Sequence, residues 1–245
     1  MIKRILIICS FILLSVYLIA AMTMLNTKPE EQECEGLVLK VKDDVDYGFV
    51  TRNDIRNLLK AKKLLPDGKK MKDINIRNIE EILMDNPFIR EAECYTTSGG
   101  KIGIDIYQRI PILRVMSTNG DNYYVDSEGK VMNSYNKPVH VPIATGVIDR
   151  KFAQNELFHL AQYIRENEFW NAQTEQINVT SKQEIEIVPR VGNQILFLGK
   201  AKDYDEKFSK LQTFYSQALK SVGWNKYKRI SIEFNNQIIC TKKGE

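Results

Sequence analysis

The most apolar part of the chain is residues 5–26, a run of 22 positions without a charged side chain. At about 1.5 Å of rise per residue it would form a helix of about 33 Å, which matches the roughly 30 Å hydrocarbon core of a bilayer. Lys3 and Arg4 precede the run with no acidic neighbour, so the positive-inside rule predicts a cytoplasmic N-terminus and export of everything after the run. A cleaved signal peptide is the alternative, since Ala20 and Ala21 permit cleavage, although such apolar regions usually have only about 7–15 residues.

Beyond this run, a short strand pattern at residues 37–41 is followed by two amphipathic helices. A polar turn signal at residues 43–48 separates the strand from the first helix. Thr51 can cap that helix, and Asp54 three residues later can complete a capping box. Asn75 can cap the second helix, in which the isoleucines and leucines share one face.

Two further strands complete this region. Pro87 ends the second helix, because proline disfavours helix in the residue before it. Residues 88–97 then read as a strand, and a Ser-Gly-Gly turn at 98–100 leads into a returning strand with alternating isoleucines. The order strand, helix, helix, strand, strand over residues 37–110 predicts a small two-layer domain with both helices on one face of a sheet.

Strand patterns dominate residues 111–242, and two helices interrupt them. The predicted strands lie at 112–116, 123–125, around 131, 176–179, 184–188, 194–198 and 228–241, and the helices at 152–167 and 205–222. Pro138 and Pro142 flank a further short extended stretch, which ends at residues 145–146. The sequence therefore predicts an α+β fold with a mixed β-rich domain after the smaller one. The remaining segments are a tail at 1–4, a juxtamembrane linker at 27–36 and a tail at 243–245.

Charge and cysteine content narrow the class of protein. The chain has 35 basic and 31 acidic side chains and a net charge of +4, with no basic block typical of nucleic-acid binding. Cys9 lies in the apolar run, and the three other cysteines are too few and too widely spaced for a disulfide framework. The sequence leaves room for one disulfide bridge. Cys94 and Cys240, however, lie in apolar patterns, where a thiol usually packs as a small hydrophobe.

Residue patterns typical of catalysis and metal binding are missing from the sequence. His140 and His159 are the only histidines, and neither has a Cys or His at metal-ligand spacing. No phosphate-binding glycine loop, nucleophile elbow or zinc-protease motif occurs. We therefore expect no enzyme activity, no metal, no cofactor and no small-molecule substrate.

Six short motifs follow one another in an order that is familiar from one protein family. They are residues 49–55 (FVTRNDI), 86–92 (NPFIREA), 107–112 (YQRIPI), 124–131 (YVDSEGKV), 142–146 (PIATG) and 195–199 (ILFLG). Together with the apolar run they resemble the FtsQ/DivIB family of bacterial division proteins over residues 1–242, and the first segment resembles a POTRA domain. The closing strands depart from the family pattern V-D-L-R-Y followed by glycine, since Ser231, Glu233, Phe234 and Gln237 replace its aspartate, arginine, tyrosine and glycine.

The resemblance implies a non-catalytic scaffold of the divisome. Such a protein spans the cell inner membrane once, keeps its N-terminus in the cytoplasm and its bulk in the periplasm, and holds FtsB-like and FtsL-like proteins at the division septum. The POTRA-like domain would recruit other divisome components by strand addition, with residues 89–97 of its second strand as one candidate edge. The resemblance implies neither nucleic-acid binding nor a small-molecule substrate.

The last strand region is the partner-binding edge that the resemblance implies. Its pattern predicts that Ile230, Ile232 and Phe234 point inward, with alternate residues outward. An edge strand offers unpaired amides and carbonyls to a strand from another chain. The predicted partner-binding residues are Glu233, Phe234, Asn235, Asn236, Gln237, Ile238, Ile239 and Cys240. Ordinary core packing is the alternative for Phe234 and Ile238, and the reversed charge at Glu233 would suit a basic residue on the partner.

Two other classes of protein are alternatives to the scaffold. An outer-membrane assembly or polypeptide-transport protein also uses POTRA domains, but its barrel would need many more strands than follow residue 110. A membrane-anchored cell-envelope enzyme would need a polar catalytic constellation, which the sequence does not present. The scaffold is therefore the expectation that the residues favour.

Overall fold

The computed structural model describes most of the chain, namely residues 2–25, 29–42, 49–133 and 139–244. The turn predicted at 43–48 lies outside the described residues, as do Pro138 and the junction of the predicted anchor with the linker at 26–28. The chain divides into two units, Met1–Gln108 and Arg109–Glu245.

An N-terminal helix, α1 (Ile2–Leu25), forms over the apolar run. Its large apolar side chains from Ile7 to Met22 are exposed, with Met22 at 79 % and Leu13 at 73 %. None of the helices in the described residues combines the length and the apolarity that crossing a membrane requires.

The first unit has the element order predicted from the sequence. Its strands and helices are β1 (Leu37–Val41), α2 (Arg52–Ala61), α3 (Ile76–Met84), β2 (Ile89–Thr96) and β3 (Ile102–Gln108), with short 3-10 turns at Pro29–Glu31 and Met71–Asp73. The sheet order is β1-β3-β2, with β1 parallel and β2 antiparallel to β3. Both outer strands of this sheet, β1 and β2, pair with β3 alone among the described residues.

Side-chain caps define where the two helices of this unit begin. The Thr51 N–H donates to Asp54 Oδ2 at 2.9 Å, and the Asp54 N–H donates to Thr51 Oγ1 at 3.2 Å, which is the predicted capping box. The Asn78 N–H donates to Asn75 Oδ1 at 3.0 Å. Ile79 and the alternating isoleucines of β3 are buried, so the helices pack on one face of the sheet. The predicted two-layer arrangement is confirmed.

The second unit is built on one nine-stranded sheet with a layer of helices. The strands are β4 (Pro111–Ser117), β5 (Asn122–Asp126), β6 (Val131–Asn133), β7 (Ile143–Gly146), β8 (Thr174–Val179), β9 (Ile185–Pro189), β10 (Ile195–Gly199), β11 (Tyr227–Ser231) and β12 (Ile239–Lys242). The helices are α4 (Arg150–Phe152), α5 (Phe158–Glu166), α6 (Glu168–Gln173), α7 (Tyr204–Phe214) and α8 (Lys220–Val222), with π-helical segments at Ala153–Leu157 and Tyr215–Leu219. The sheet order is β12-β11-β10-β9-β8-β7-β4-β5-β6.

Two parallel crossovers explain where the helices lie. β7 and β8 are parallel neighbours joined through α4 to α6, and β10 and β11 are parallel neighbours joined through α7 and α8. A parallel connection must cross the sheet, and a helix makes that crossing. Trp170 of α6 and Phe208 of α7 meet at 4.9 Å between ring centroids, so the two helical crossovers share one core.

Two features of this unit differ from the sequence prediction. α6 was not predicted; Asn167 caps it, accepting from the Trp170 N–H at 3.1 Å, and this cap follows directly on the end of α5. The strand region predicted at 228–241 forms two strands, β11 and β12, and the loop between them is longer than the tight turn or bulge that Asn235, Asn236 and Gln237 alone would make.

Alkaline pH should destabilise this unit. Burial raises the pKa of Tyr204 and of Tyr215 to about 12. Both phenols are therefore protonated in the folded state at a pH where the unfolded chain ionises them, so their contribution is complete below about pH 10 and is lost as pH rises towards 12. We expect the free energy of unfolding to fall by up to about 1 kcal/mol per pH unit for Tyr215 in this window, and by less for Tyr204, whose side chain is partly exposed.

Urea titrations of the full chain at pH 9.5, 10.5 and 11.5 would measure this loss of stability. The double variant Tyr204→Phe/Tyr215→Phe should show a clearly shallower decline. An equal decline in the two proteins would contradict the assignment. Burial lowers the pKa of Lys207 below its ordinary value of 10.5. Below pH 10.5 this lysine therefore makes the free energy of unfolding rise with pH, which opposes the effect of the tyrosines. The comparison between the two proteins is clearest above that pH.

Candidate functional site

β12 is an outer strand of the nine-stranded sheet. It pairs antiparallel with β11, in the register Ser231↔Ile239 and Ile230↔Cys240, and with no other strand of the described residues. The strand has four residues, and no strand in the described ranges pairs with its other side. An outer strand of this kind can accept a strand from another chain.

The direction of the backbone groups in β11 follows from one hydrogen bond. The Ile232 N–H donates to Phe197 O at 2.9 Å, so at this position the backbone faces β10. Backbone groups of successive residues in a strand face opposite neighbours. Ser231 and Arg229 therefore face β12.

The same alternation fixes which groups of β12 are free. Ile239 and Thr241 are the register partners of Ser231 and Arg229, so they face β11. Lys243 continues this series, because its N–H donates at 3.2 Å to a backbone oxygen just before β11. The N–H and C=O groups of Cys240 and Lys242 therefore point to the open side of the sheet.

The structure places the eight predicted partner-binding residues in the loop before β12 and in its first two positions. Asn235, Asn236 and Gln237 are exposed, and Ile238 and Cys240 are half-buried against the core. Ile239 is 45 % exposed on β12.

The inward orientation predicted for Phe234 is wrong. Ile230 and Ile232 are fully buried as expected, but Phe234 is 48 % exposed. The reason is that β11 ends at Ser231, so the alternation that would carry Phe234 into the core stops three residues before it. The exposure of Phe234 also excludes core packing, which was the alternative for this side chain.

Lys207 of α7 is a buried cation next to this loop. Its side chain is 2 % exposed, and its Nζ donates to Leu198 O at 3.0 Å and to Lys200 O at 3.1 Å. Burial lowers the pKa of this ammonium, and the carboxylates of Asp203 and Glu233 act in the opposite direction. The lysine thus holds the backbone where β10 ends.

The loop that leads to β12 is held by the same helix. The Lys210 Nζ donates to Phe234 O and to Asn235 O, the latter at 3.2 Å. Glu233 lies over Gly199, whose φ is +72° and whose added Cβ would come within 2.9 Å of Glu233 Cγ. α7 and the end of β10 therefore fix the first half of the loop, and Glu233 faces the protein's own backbone.

Replacing Lys207 should weaken the second unit. Lys207→Ala removes two charge-assisted hydrogen bonds and the buried stem of the side chain, so we expect a loss of about 2–4 kcal/mol in the free energy of unfolding. Lys210→Ala is the matched control on the same helix; its two bonds lie at the surface, and its loss should stay below about 1 kcal/mol. Chemical denaturation followed by circular dichroism measures both, and equal losses would contradict a structural role specific to Lys207.

Sequence reasoning missed Lys207 for an identifiable reason. It precedes Phe208 and lies one helical turn before Leu211, so it falls on the apolar stripe of α7. A lysine at such a position usually extends its charge to solvent along an apolar stem. Only the nearby carbonyls of Leu198 and Lys200, which are set by tertiary structure, show that it turns inward.

The other residues with reactive side chains form no comparable site. All four cysteines are free, and Cys34 is buried with its Sγ donating to Gly36 O at 3.3 Å. His140 contacts Arg190, with 2.9 Å between Nε2 and Nη2. Within the described residues, no group of three or more His, Cys, Asp and Glu side chains is arranged to hold a metal ion.

These features define a class of protein: a small strand-helix-helix-strand-strand domain ahead of a β-rich domain that ends in an open outer strand. Comparison with known families agrees with this class. Residues 32–107 match the POTRA-like domain, and residues 110–241, more than half of the chain, match the FtsQ/DivIB C-terminal related family. The chain belongs to the FtsQ/DivIB family, as its sequence motifs predict. No individual curated protein matches it.

Family membership gives the general function. It associates the chain with bacterial cell division, with the division site and with divisome proteins as partners, and the family is generally non-catalytic. The departures at Ser231 and Glu233 lie at the end of β11 and just beyond it, next to the loop before β12.

Proposed function

We propose that the protein is a non-catalytic scaffold that holds FtsB-like and FtsL-like proteins at the division septum, with a partner strand added to β12. The observation that supports this most directly is the open edge of β12, where Cys240 and Lys242 present unpaired backbone groups. The predicted residues 233–240 border this edge, and Ile239 offers an exposed apolar side chain beside it. Backbone pairing would supply affinity and the alternating side chains specificity.

Residues 5–26 anchor the protein in the cell inner membrane in this proposal. Support comes from the sequence, which has no charge over these 22 residues and basic residues only before them. The large apolar side chains of α1 are also exposed from Ile7 to Met22, so the described residues do not bury them. The N-terminal tail at 1–4 is then cytoplasmic, and everything from residue 27 is periplasmic.

The remaining division of labour follows the domain limits predicted from the sequence. After the linker at 27–36, the POTRA-like domain at 37–110 recruits other divisome components, and the β-domain at 111–242 carries the partner edge, with 243–245 as a tail. Either β1 or β2 could accept a strand, since each is an outer strand of the first sheet.

Site-specific photocrosslinking in living cells tests this function. A benzoylphenylalanine at Ile239 should crosslink to FtsB or FtsL, identified by antibody or mass spectrometry, because the side chain lies exposed on β12. The same probe at Asn133, an exposed position on β6 at the opposite edge of the sheet, is the control. Crosslinks to these proteins that are equal at both positions, or none at Ile239, would contradict the proposal.

A further inference from the structure

Four lysines cluster at one end of the open edge. Lys242 ends β12 and pairs with Tyr227, and the Lys243 N–H donates to Lys226 O at 3.2 Å. Lys228 lies in the irregularity that separates Tyr227 from the next paired residue of β11. The hairpin therefore places the backbones of Lys226, Lys228, Lys242 and Lys243 at the same end of the edge, and all four side chains are exposed on one or the other face of the sheet.

No ion pair within the described part of the chain neutralises this cluster. None of the four lysines forms an ion pair with any residue that the structure describes. Between Trp224 and Gly244 the only acidic residue is Glu233, which lies over Gly199 at the start of the loop; the next acidic residue, Glu245, lies outside the described residues. Like charges on neighbouring strands destabilise a sheet, so the cluster makes the free hairpin less stable than a neutral one.

The cluster coincides with the free backbone groups. Lys242 points its N–H and C=O to the open side, so a residue paired with Lys242 on an added strand would lie directly beside the lysine side chain. A carboxylate there would meet the charge of Lys242, and a carboxylate at the adjacent position of the added strand, on the other face of the sheet, would lie on the face of Lys243. A lysine or arginine beside Lys242 would be repelled by it.

We propose that the strand that adds to β12 belongs to an acidic segment, with Asp or Glu side chains at the end that lies beside Lys242 and Lys243. This rests on the proposed docking at β12 and adds the chemistry and the register of the partner. The lysines then speed encounter and select the register, which is what complementary charge at an interface does best. Glu233 does not need a basic residue on the partner, because its carboxylate faces Gly199 and lies near Lys207 of the protein itself.

Charge reversal in the full chain tests the proposal. The protein is placed in nanodiscs of neutral phosphatidylcholine, and its affinity for the purified FtsB–FtsL complex of the same bacterium is measured by biolayer interferometry over a salt series. Lys242→Glu/Lys243→Glu should weaken binding about tenfold at low salt, and the salt dependence should become shallower. The matched control is Lys151→Glu/Lys182→Glu, two exposed lysines at the opposite end of the strands, which should leave affinity unchanged.

Each other outcome overturns the proposal in a distinct way. The Lys242→Glu/Lys243→Glu protein could bind with unchanged affinity while a proline substitution in β12 still abolishes binding. That result would reject an acidic partner segment but support docking at β12. If binding persists when a proline substitution blocks β12, the proposal that the partner docks at β12 is rejected. Unchanged affinity together with new self-association would mean that the lysines only protect an open edge. If the charge reversal instead abolishes binding to phosphatidylglycerol vesicles and leaves FtsB–FtsL binding intact, the cluster contacts the membrane surface.

Discussion

Gly146→Ala is expected to destabilise the second unit by about 4 kcal/mol or more, a large share of the roughly 5–15 kcal/mol by which an ordinary domain is stable. Gly146 ends β7 with a φ of +105°, where a side chain costs about 1–2 kcal/mol. An added Cβ would also lie 2.0 Å from Val179 O, a backbone atom of the neighbouring strand β8. The two central strands would have to separate, which would break the bond from the Val147 N–H to Val179 O and weaken that from the Thr118 N–H to Gly146 O.

Gly120→Ala is the matched control for this substitution. Gly120 has a similar φ of +92°, but an added Cβ there would meet nothing within 4 Å. Only the backbone term remains, so the loss should be about 1–2 kcal/mol. Urea denaturation of the full chain, followed by circular dichroism, compares the two. If both variants lose the same stability, the close approach of β7 and β8 is not what requires the glycine.

The local elements of this fold could be predicted because each carries its own signal. Thr51 and Asp54 specify where α2 begins through bonds that connect residues three apart, so no tertiary information is needed. Residues 98–100 likewise turn the chain between β2 and β3. The limits of β9 and β10 were predicted to within one residue for the same reason.

The order of the strands could not be predicted in this way. The local pattern of residues 239–242 does not indicate that β12 lies at the edge of the sheet. That position depends on the parallel pairing of β10 with β11 and on the crossover through α7 and α8 that connects them. The resemblance to a family supplied the edge instead. The same limit applies to Glu233, whose exposure was inferred from an alternation that ends at Ser231.

Charge and backbone geometry divide the edge into two parts with different roles. Towards the start of the loop, Lys207, Lys210 and Glu233 interact with or lie near the protein's own groups, so they hold the hairpin in place. Towards the end of β12, the charges of Lys242 and its neighbours have no internal partner among the described residues. Substitutions in the first part should act mainly on stability, and those in the second mainly on binding.

Cys240→Pro should reduce binding of the FtsB–FtsL complex about a hundredfold while leaving the hairpin paired. The Cys240 N–H points to the open side, so proline removes a donor offered to the partner and leaves the inward bonds of Ile239 and Thr241 intact. Its ring also occupies the space that a partner strand needs. A lost backbone bond with this obstruction is worth about 3 kcal/mol, which corresponds to that change in affinity. Interferometry with the full chain measures it.

Two further variants separate backbone pairing from side-chain contact at this edge. Cys240→Val keeps the N–H and should bind within about threefold of the unaltered protein, since both side chains are small and apolar. Ile239→Pro removes an N–H that faces β11, so it should release β12 from its own sheet and raise hydrogen exchange in residues 239–242 before any partner is added. Strand addition would be rejected if Cys240→Val lost as much affinity as Cys240→Pro. It would also be rejected if Cys240→Pro bound normally, because a partner strand cannot pair with this edge without the outward groups of Cys240 and Lys242.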